Sequence, residues 1–191
     1  MFASMRSRVR AWITIGAGTV AAILAANLLG AFGALPEPEI PVFAAGQEIE
    51  TGQWRVTPLR AFVTDQRIYD APIREGQKAL VLEVEMTNRT AASTTDYFTL
   101  FKHGLPVGEE SETPFVMLTR DPSMTPELHP AMKERVAFVW ALPESATSPG
   151  EIPFSVNTKT YKPIDNLYGV PGWYNEQELG RLVIPVSEAS G

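Results

Sequence analysis

Three patterns of apolar and polar positions divide this chain. The first is an unbroken run from Ala11 to Leu35 (AWITIGAGTVAAILAANLLGAFGAL), 25 residues without a charge, preceded by Arg6, Arg8 and Arg10. At about 1.5 Å per helical residue it reaches roughly 37 Å, enough to cross a hydrocarbon core of about 30 Å with some tilt. It predicts one N-terminal transmembrane helix over 11–35. The arginines hold residues 1–10 on the cytoplasmic side and leave the rest of the chain outside. A removed signal peptide is the alternative, although its apolar region is typically only about 7–15 residues long. The small-residue triplets that could be cut are Ala31-Phe32-Gly33 and Val42-Phe43-Ala44. Gly18, Ala22, Ala26 and Gly30 recur at every fourth position of the run, a row that lets a second helix approach closely in lipid. An alanine-rich anchor without a partner shows the same spacing.

The second pattern is alternation. In Lys78 to Asn88 (KALVLEVEMTN), Leu80, Leu82, Val84 and Met86 alternate with Val81, Glu83, Glu85 and Thr87, which predicts a half-buried antiparallel strand. Arg135 to Ala141 alternates Val136, Phe138 and Trp140 with Ala137 and Val139; both faces are apolar, as a central strand requires, and Pro143 ends it. Trp54 and Val56, then Leu59, Ala61 and Val63 beyond Pro58, read as a strand with a bend or a sheet edge at the proline. Tyr97 to Lys102, Phe115 to Thr119, Ile152 to Tyr161 (Ile152, Phe154 and Val156 inward; Ser155, Asn157 and Lys159 outward) and Arg181 to Val186 complete the set. No 3.6-residue period appears outside the anchor. Seven or eight short strands between Gly, Pro, Asn and Ser turns predict an all-β, antiparallel β-sandwich over 47–186, with an open barrel as the competitor.

The third pattern is irregular. Prolines 36, 38 and 41 with Glu37 and Glu39 mark 36–46 as an extended spacer, and 187–191 (SEASG) reads as a disordered tail. The chain carries 16 basic and 22 acidic residues; without the three anchor-flanking arginines, 13 stand against 22, a net of −9. That balance argues against nucleic-acid binding and against lying flat on anionic lipid. With no cysteine in the sequence, a lipid-anchored lipoprotein is excluded.

The order LVLEVEMTNRT, then LHPAMKE, then RVAFVWALP resembles the telokin-like, immunoglobulin-like extracytoplasmic domains of bacteria grouped as DUF4352, over about 47–186. The alanine-rich anchor is similar to those of actinobacterial membrane proteins. The resemblance implies an immunoglobulin-like sandwich outside the membrane, and no particular activity. Such domains often have Pro-Gly before the long strand where this chain has Pro130-Ala131, so the turn is expected to avoid positive φ there or to be shaped differently.

Groups for chemistry are few. His103 and His129 both lie in turn-like contexts, where exposed histidines are the default and a metal site would need carboxylates nearby. Glu109, Glu110 and Glu112 crowd one loop, and Asp121 and Glu127 flank another, without the Asp-x-Asp-x-Asp-Gly spacing of a calcium loop. No nucleophile elbow, phosphate loop or His-Glu-x-x-His occurs, so no enzyme, cofactor or metal site is expected. Asn88-Arg89-Thr90 fits the N-glycosylation pattern and equally a turn asparagine. The most unusual stretch is Asp165 to Tyr174 (DNLYGVPGWY), which places Tyr168, Trp173 and Tyr174 on a Gly/Pro-rich loop. These rings either form a partner-binding surface or fold back to plug one end of the sandwich. The sequence thus predicts a non-catalytic domain that binds another membrane or envelope protein, or serves as an accessory subunit. A solute-binding sandwich and a secreted domain released by signal cleavage are the alternatives.

Overall fold

The computed structural model describes residues 18–28, 39–108, 111–121, 123–147 and 149–188. Two compact units are distinguished, Met1–Glu39 and Ile40–Gly191. In the first, residues 18–28 are helical and carry Gly18, Ala22 and Ala26, whereas Gly30 and the rest of the expected 11–35 segment lie outside the described residues. No helix among the described residues is long and apolar enough to cross a membrane.

The second unit is a β-sandwich. Its strands are β1 (Val42–Phe43), β2 (Ile49–Glu50), β3 (Trp54–Thr64), β4 (Gln77–Asn88), β5 (Phe101–His103), β6 (Phe115–Leu118), β7 (Lys133–Pro143), β8 (Glu151–Lys162) and β9 (Gly172–Glu188). One layer is β5–β8–β9, and the other is β2–β3–β4–β7–β6. The end of β9 crosses over, pairing Val186–Glu188 in parallel with Ala61–Val63, so the two layers form one curled ladder. The long hydrophobic alternations of β4, β7 and β8 meet between the layers. There Phe101 lies edge-on to Phe138 at 5.2 Å and Trp140 meets Phe154 at 5.6 Å between ring centroids.

Several expectations are corrected. The sandwich is not purely antiparallel, because β1 also joins β9 in parallel, Val42 opposite Arg181. The spacer expected over 36–46 therefore contributes a strand, and the Phe43 ring lies so close over Gly180 that a Cβ there would meet Phe43 Cε2 at 2.5 Å and the Pro41 oxygen at 2.7 Å. Ser187 and Glu188, expected in the tail, continue β9. Tyr97 lies in a buried turn ahead of β5, its hydroxyl donating to the Pro126 oxygen at 2.7 Å; burial, then the charge of Glu127, pushes its phenol up. Asn157 is buried rather than outward, because the β8–β9 register shifts between Val156 and Asn157 and turns its amide onto the Thr99 oxygen at 2.7 Å.

The outer face of β4 is also covered. Ile68, Tyr69, Ala71 and Ile73, from the loop between β3 and β4, pack on Phe62, Ala79, Val81, Ala137 and Val139 as a second apolar layer. Val81 and Glu83, expected in solvent, are buried beneath it. Arg60 reaches Glu83 Oε1 at 2.6 Å and the Tyr69 hydroxyl donates to the same oxygen at 2.5 Å. Burial alone would raise the Glu83 carboxyl, but the hydrogen bonds from Arg60 and Tyr69 outweigh it and hold the group below the usual carboxylate range. Burial, reinforced by Glu83, pushes the Tyr69 phenol up to about 12. Since the folded value of Glu83 lies below the unfolded one of about 4.3, its contribution is present above about pH 4.3 and is lost as pH falls through the folded value. Glu83→Gln, which cannot titrate, should flatten the acid limb of a stability–pH curve. An unchanged limb would contradict this arrangement.

Ala131 does take positive φ, at 60°, against the expectation for Pro130-Ala131. Its N–H donates to the Asn88 oxygen at 2.9 Å, which closes the turn onto the end of β4. A non-glycine residue in this region costs about 1–2 kcal/mol, part of which glycine would return as unfolded-chain entropy. Ala131→Gly should therefore stabilise the domain by about 0.5–1 kcal/mol in urea melts.

Candidate functional site

The β8–β9 hairpin projects the one cluster of exposed apolar side chains that the sequence had singled out. Gly172, Trp173 and Tyr174, expected in an irregular loop, belong to β9 and pair with Lys162, Tyr161 and Thr160, so the connecting loop is only 163–171. Asn175 at φ 55° and the register shift between Thr158 and Thr160 bend the hairpin. Trp173 then rests against the 51–54 turn, where Gly52 sits at φ 79° and a Cβ would meet the Trp173 ring at 3.1 Å. The Thr158 hydroxyl donates to the Thr51 oxygen at 2.8 Å on the same side.

The loop is organised by Asp165. Its Oδ1 accepts the N–H groups of Leu167 at 2.9 Å and Tyr168 at 3.1 Å, and Oδ2 faces Lys162 Nζ at 3.1 Å. These bonds, first the Leu167 N–H and then Lys162, hold its carboxyl below the ordinary range. Asp165 N–H also donates to the Val170 oxygen at 3.1 Å, and Gly169 N–H donates to the Asp165 oxygen at 2.8 Å. The Asp165 carboxylate and the N–H groups it holds thus turn inward, while Asn166 and the apolar side chains are exposed: Ile164 is 70% exposed, Leu167 80%, Tyr168 66% and Val170 51%.

Of the three aromatic residues expected to form a site, Tyr168 and Tyr174 stack at 6.0 Å with 15° between planes, while Trp173 pairs with Tyr161 at 5.5 Å. None of them joins the sandwich core; Trp173 is half-buried against the 51–54 turn, whereas Tyr168 is exposed. Ile164, Leu167 and Val170 were missed by attention to rings. Their signal was present as single apolar residues between turn formers, bracketed by Pro163 and Pro171.

At the base of the hairpin, Lys159 pairs with Asp96, and Glu176 takes the Thr99 hydroxyl and Lys102 (3.2 Å to Nζ). Burial would raise the Glu176 carboxyl, but Thr99 and Lys102 outweigh it and lower it. The cavity there measures about 10 Å³, room for about one water, and these groups act as a polar seam.

The two histidines are apart in role. His103 is half-buried, edge-on to Trp140 at 5.7 Å; its Nε2 donates to the Ser111 oxygen at 2.8 Å and Nδ1 accepts the Leu105 N–H at 3.3 Å. Exposed His129 meets the Ser93 hydroxyl at 2.6 Å. No group of three or more His, Asp or Glu side chains that could hold a metal occurs among the described residues; Glu109 and Glu110 lie outside them. Asn88 is 1% exposed, with Nδ2 donating to the Ala92 and Leu128 oxygens at 2.9 and 2.8 Å. No free amide hydrogen is left for a glycan, so it is a turn asparagine.

These features define a β-sandwich domain with a projecting apolar hairpin. The chain is similar in structure to an uncharacterised β-sandwich protein from Clostridium difficile, at 10% identity and a TM-score of 0.46 over 80% of this chain and 97% of that one. It is similar also to a "putative lipoprotein" from Staphylococcus aureus, at 9% identity and a TM-score of 0.45 over 80% of this chain and all of that one. No family model and no curated protein matches the sequence. The resemblance to DUF4352 domains therefore stops at the sandwich, which the strands themselves establish.

Proposed function

We propose that this chain is a membrane-tethered, extracytoplasmic, non-catalytic docking domain, an interaction module or accessory subunit of the cell envelope. The observation that carries this reading is the tip loop, which ties the Asp165 carboxylate to its own N–H groups and presents Ile164, Leu167, Tyr168 and Val170 to its surroundings. Exposed apolar side chains clustered on one rigid loop are characteristic of contact surfaces. The tether is supported by the uncharged run 11–35 behind three arginines. It is supported further by β1: cleavage after Ala44 would remove Val42 and Phe43, which the folded domain pairs with β9.

A photo-crosslinking residue at Tyr168 of the full chain, in native membranes, tests this. The expected result is an adduct, to lipid or to a protein, from position 168 and none from Glu75, an exposed residue beyond the opposite end of the sheet, in the connection between β3 and β4. Equal labelling at the two positions would overturn the reading.

A further inference from the structure

Resting on that reading, we propose that the partner of the tip is the bilayer itself: the loop 163–171 inserts into the lipid interface of the membrane that holds residues 11–35. Chain length is the first argument. Pro41 sits beside Gly180, its oxygen accepting the Arg181 N–H at 2.8 Å. Because β1 runs parallel to β9, the chain enters the domain from the tip side. From Gly180 back to Gly172 is about 26 Å at ~3.3 Å per residue. From Pro41 back to Leu35, where the uncharged run ends, the chain reaches at most about 20 Å. That reach allows a membrane seated on that run to meet the tip.

The chemistry of the loop is the second argument. Aliphatic Ile164, Leu167 and Val170 lie in the turn; Tyr161, Trp173 and Tyr174 lie on the strands behind it, and Lys162 stands 5.7 Å over the Tyr174 ring. Lys162 stands between the apex and these rings, with its charge matched by Asp165, and an apolar apex backed by aromatic rings suits a membrane interface. The only ionic side chains from 162 to 172 are Lys162 and Asp165, and they pair with each other. Backbone N–H groups of 165, 167, 168 and 169 are bonded within the loop, and Pro163 and Pro171 have none to lose, which lowers the cost of leaving water. A protein partner fits less well. A stable protein interface uses roughly 20–30 residues a side with a polar rim, whereas this loop is short and carries no exposed charge. The acidic balance of the domain makes the contact apolar rather than electrostatic.

The sequence has no cysteine, so Leu167→Cys can be labelled uniquely with an environment-sensitive fluorophore and the full chain reconstituted into phosphatidylcholine vesicles carrying headgroup-level nitroxide lipids. The label at 167 should be blue-shifted and quenched severalfold more than one at Glu75→Cys. To separate the loop from the dye, a label at Asn166→Cys should lose that quenching when Ile164→Glu and Leu167→Glu are added, with the far-ultraviolet dichroism unchanged. Equal quenching at 167 and 75, or quenching that survives the two glutamates, overturns the lipid assignment. If the 167 label reports water while position 168 still crosslinks to a protein in native membranes, the docking reading stands and only its bilayer partner is lost. A chain that does not stay with the vesicles ends both.

Discussion

Trp140→Ala should cost the full chain about 3–5 kcal/mol in urea unfolding, because Trp140 is, with Trp54, one of the two largest fully buried side chains and packs between the two layers. Trp140 is on β7, opposite Leu80 of β4, and its ring meets Phe138, Phe154 and His103 at 6.1, 5.6 and 5.7 Å. Its Nε1–H also donates to the Glu112 oxygen at 3.2 Å. Substitution opens a cavity shared by both sheets and releases the loop that carries Ser111 and Glu112. A domain of this size is stable by about 5–15 kcal/mol, so the loss is a large fraction of the whole. Trp140→Phe, which keeps an aromatic ring but not the N–H, should lose clearly less. A loss below about 1 kcal/mol for the alanine variant, the scale of an ordinary surface change, would place Trp140 outside the cooperative core.

Asn88→Ala should be the next most damaging change, at about 3 kcal/mol, since each buried polar group left unpaired costs about 1–3 kcal/mol. Besides its two donated bonds, Asn88 Oδ1 accepts the Thr90 N–H and the Thr90 hydroxyl, both at 2.8 Å. One side chain therefore ties the end of β4 to the following turn and to Leu128. Asn88→Asp should be no milder, because it would set a carboxylate oxygen against the Ala92 and Leu128 carbonyls. If Asp were tolerated and Ala were not, shape rather than hydrogen bonding would explain the site.

Much of the sandwich was legible, because the inner faces of β4, β7 and β8 meet one shared core and a period of two records that directly. The same rule failed at Val81 and Glu83. Their cover comes from the loop carrying Ile68, Tyr69 and Ile73, which has no period of its own and no strand signal. Asn157 was misplaced by a one-residue register shift against β9, which turns its side chain inward and leaves no mark in composition. Strands β1 and β2, two residues each, are too short to show alternation; they exist through pairing with distant partners. The hairpin was half legible: its rings stood out, but Gly172 and Pro171 suggested an irregular backbone where pairing to Lys162 extends the strand.

The tether underlies the whole functional reading, and the intact mass of the chain extracted from membranes after alkaline carbonate washing tests it most directly. A tethered chain gives a membrane-retained species whose mass includes residues 11–35, so that the domain is held near the bilayer by its own chain. A carbonate-soluble species beginning after Gly33 or after Ala44 would contradict it.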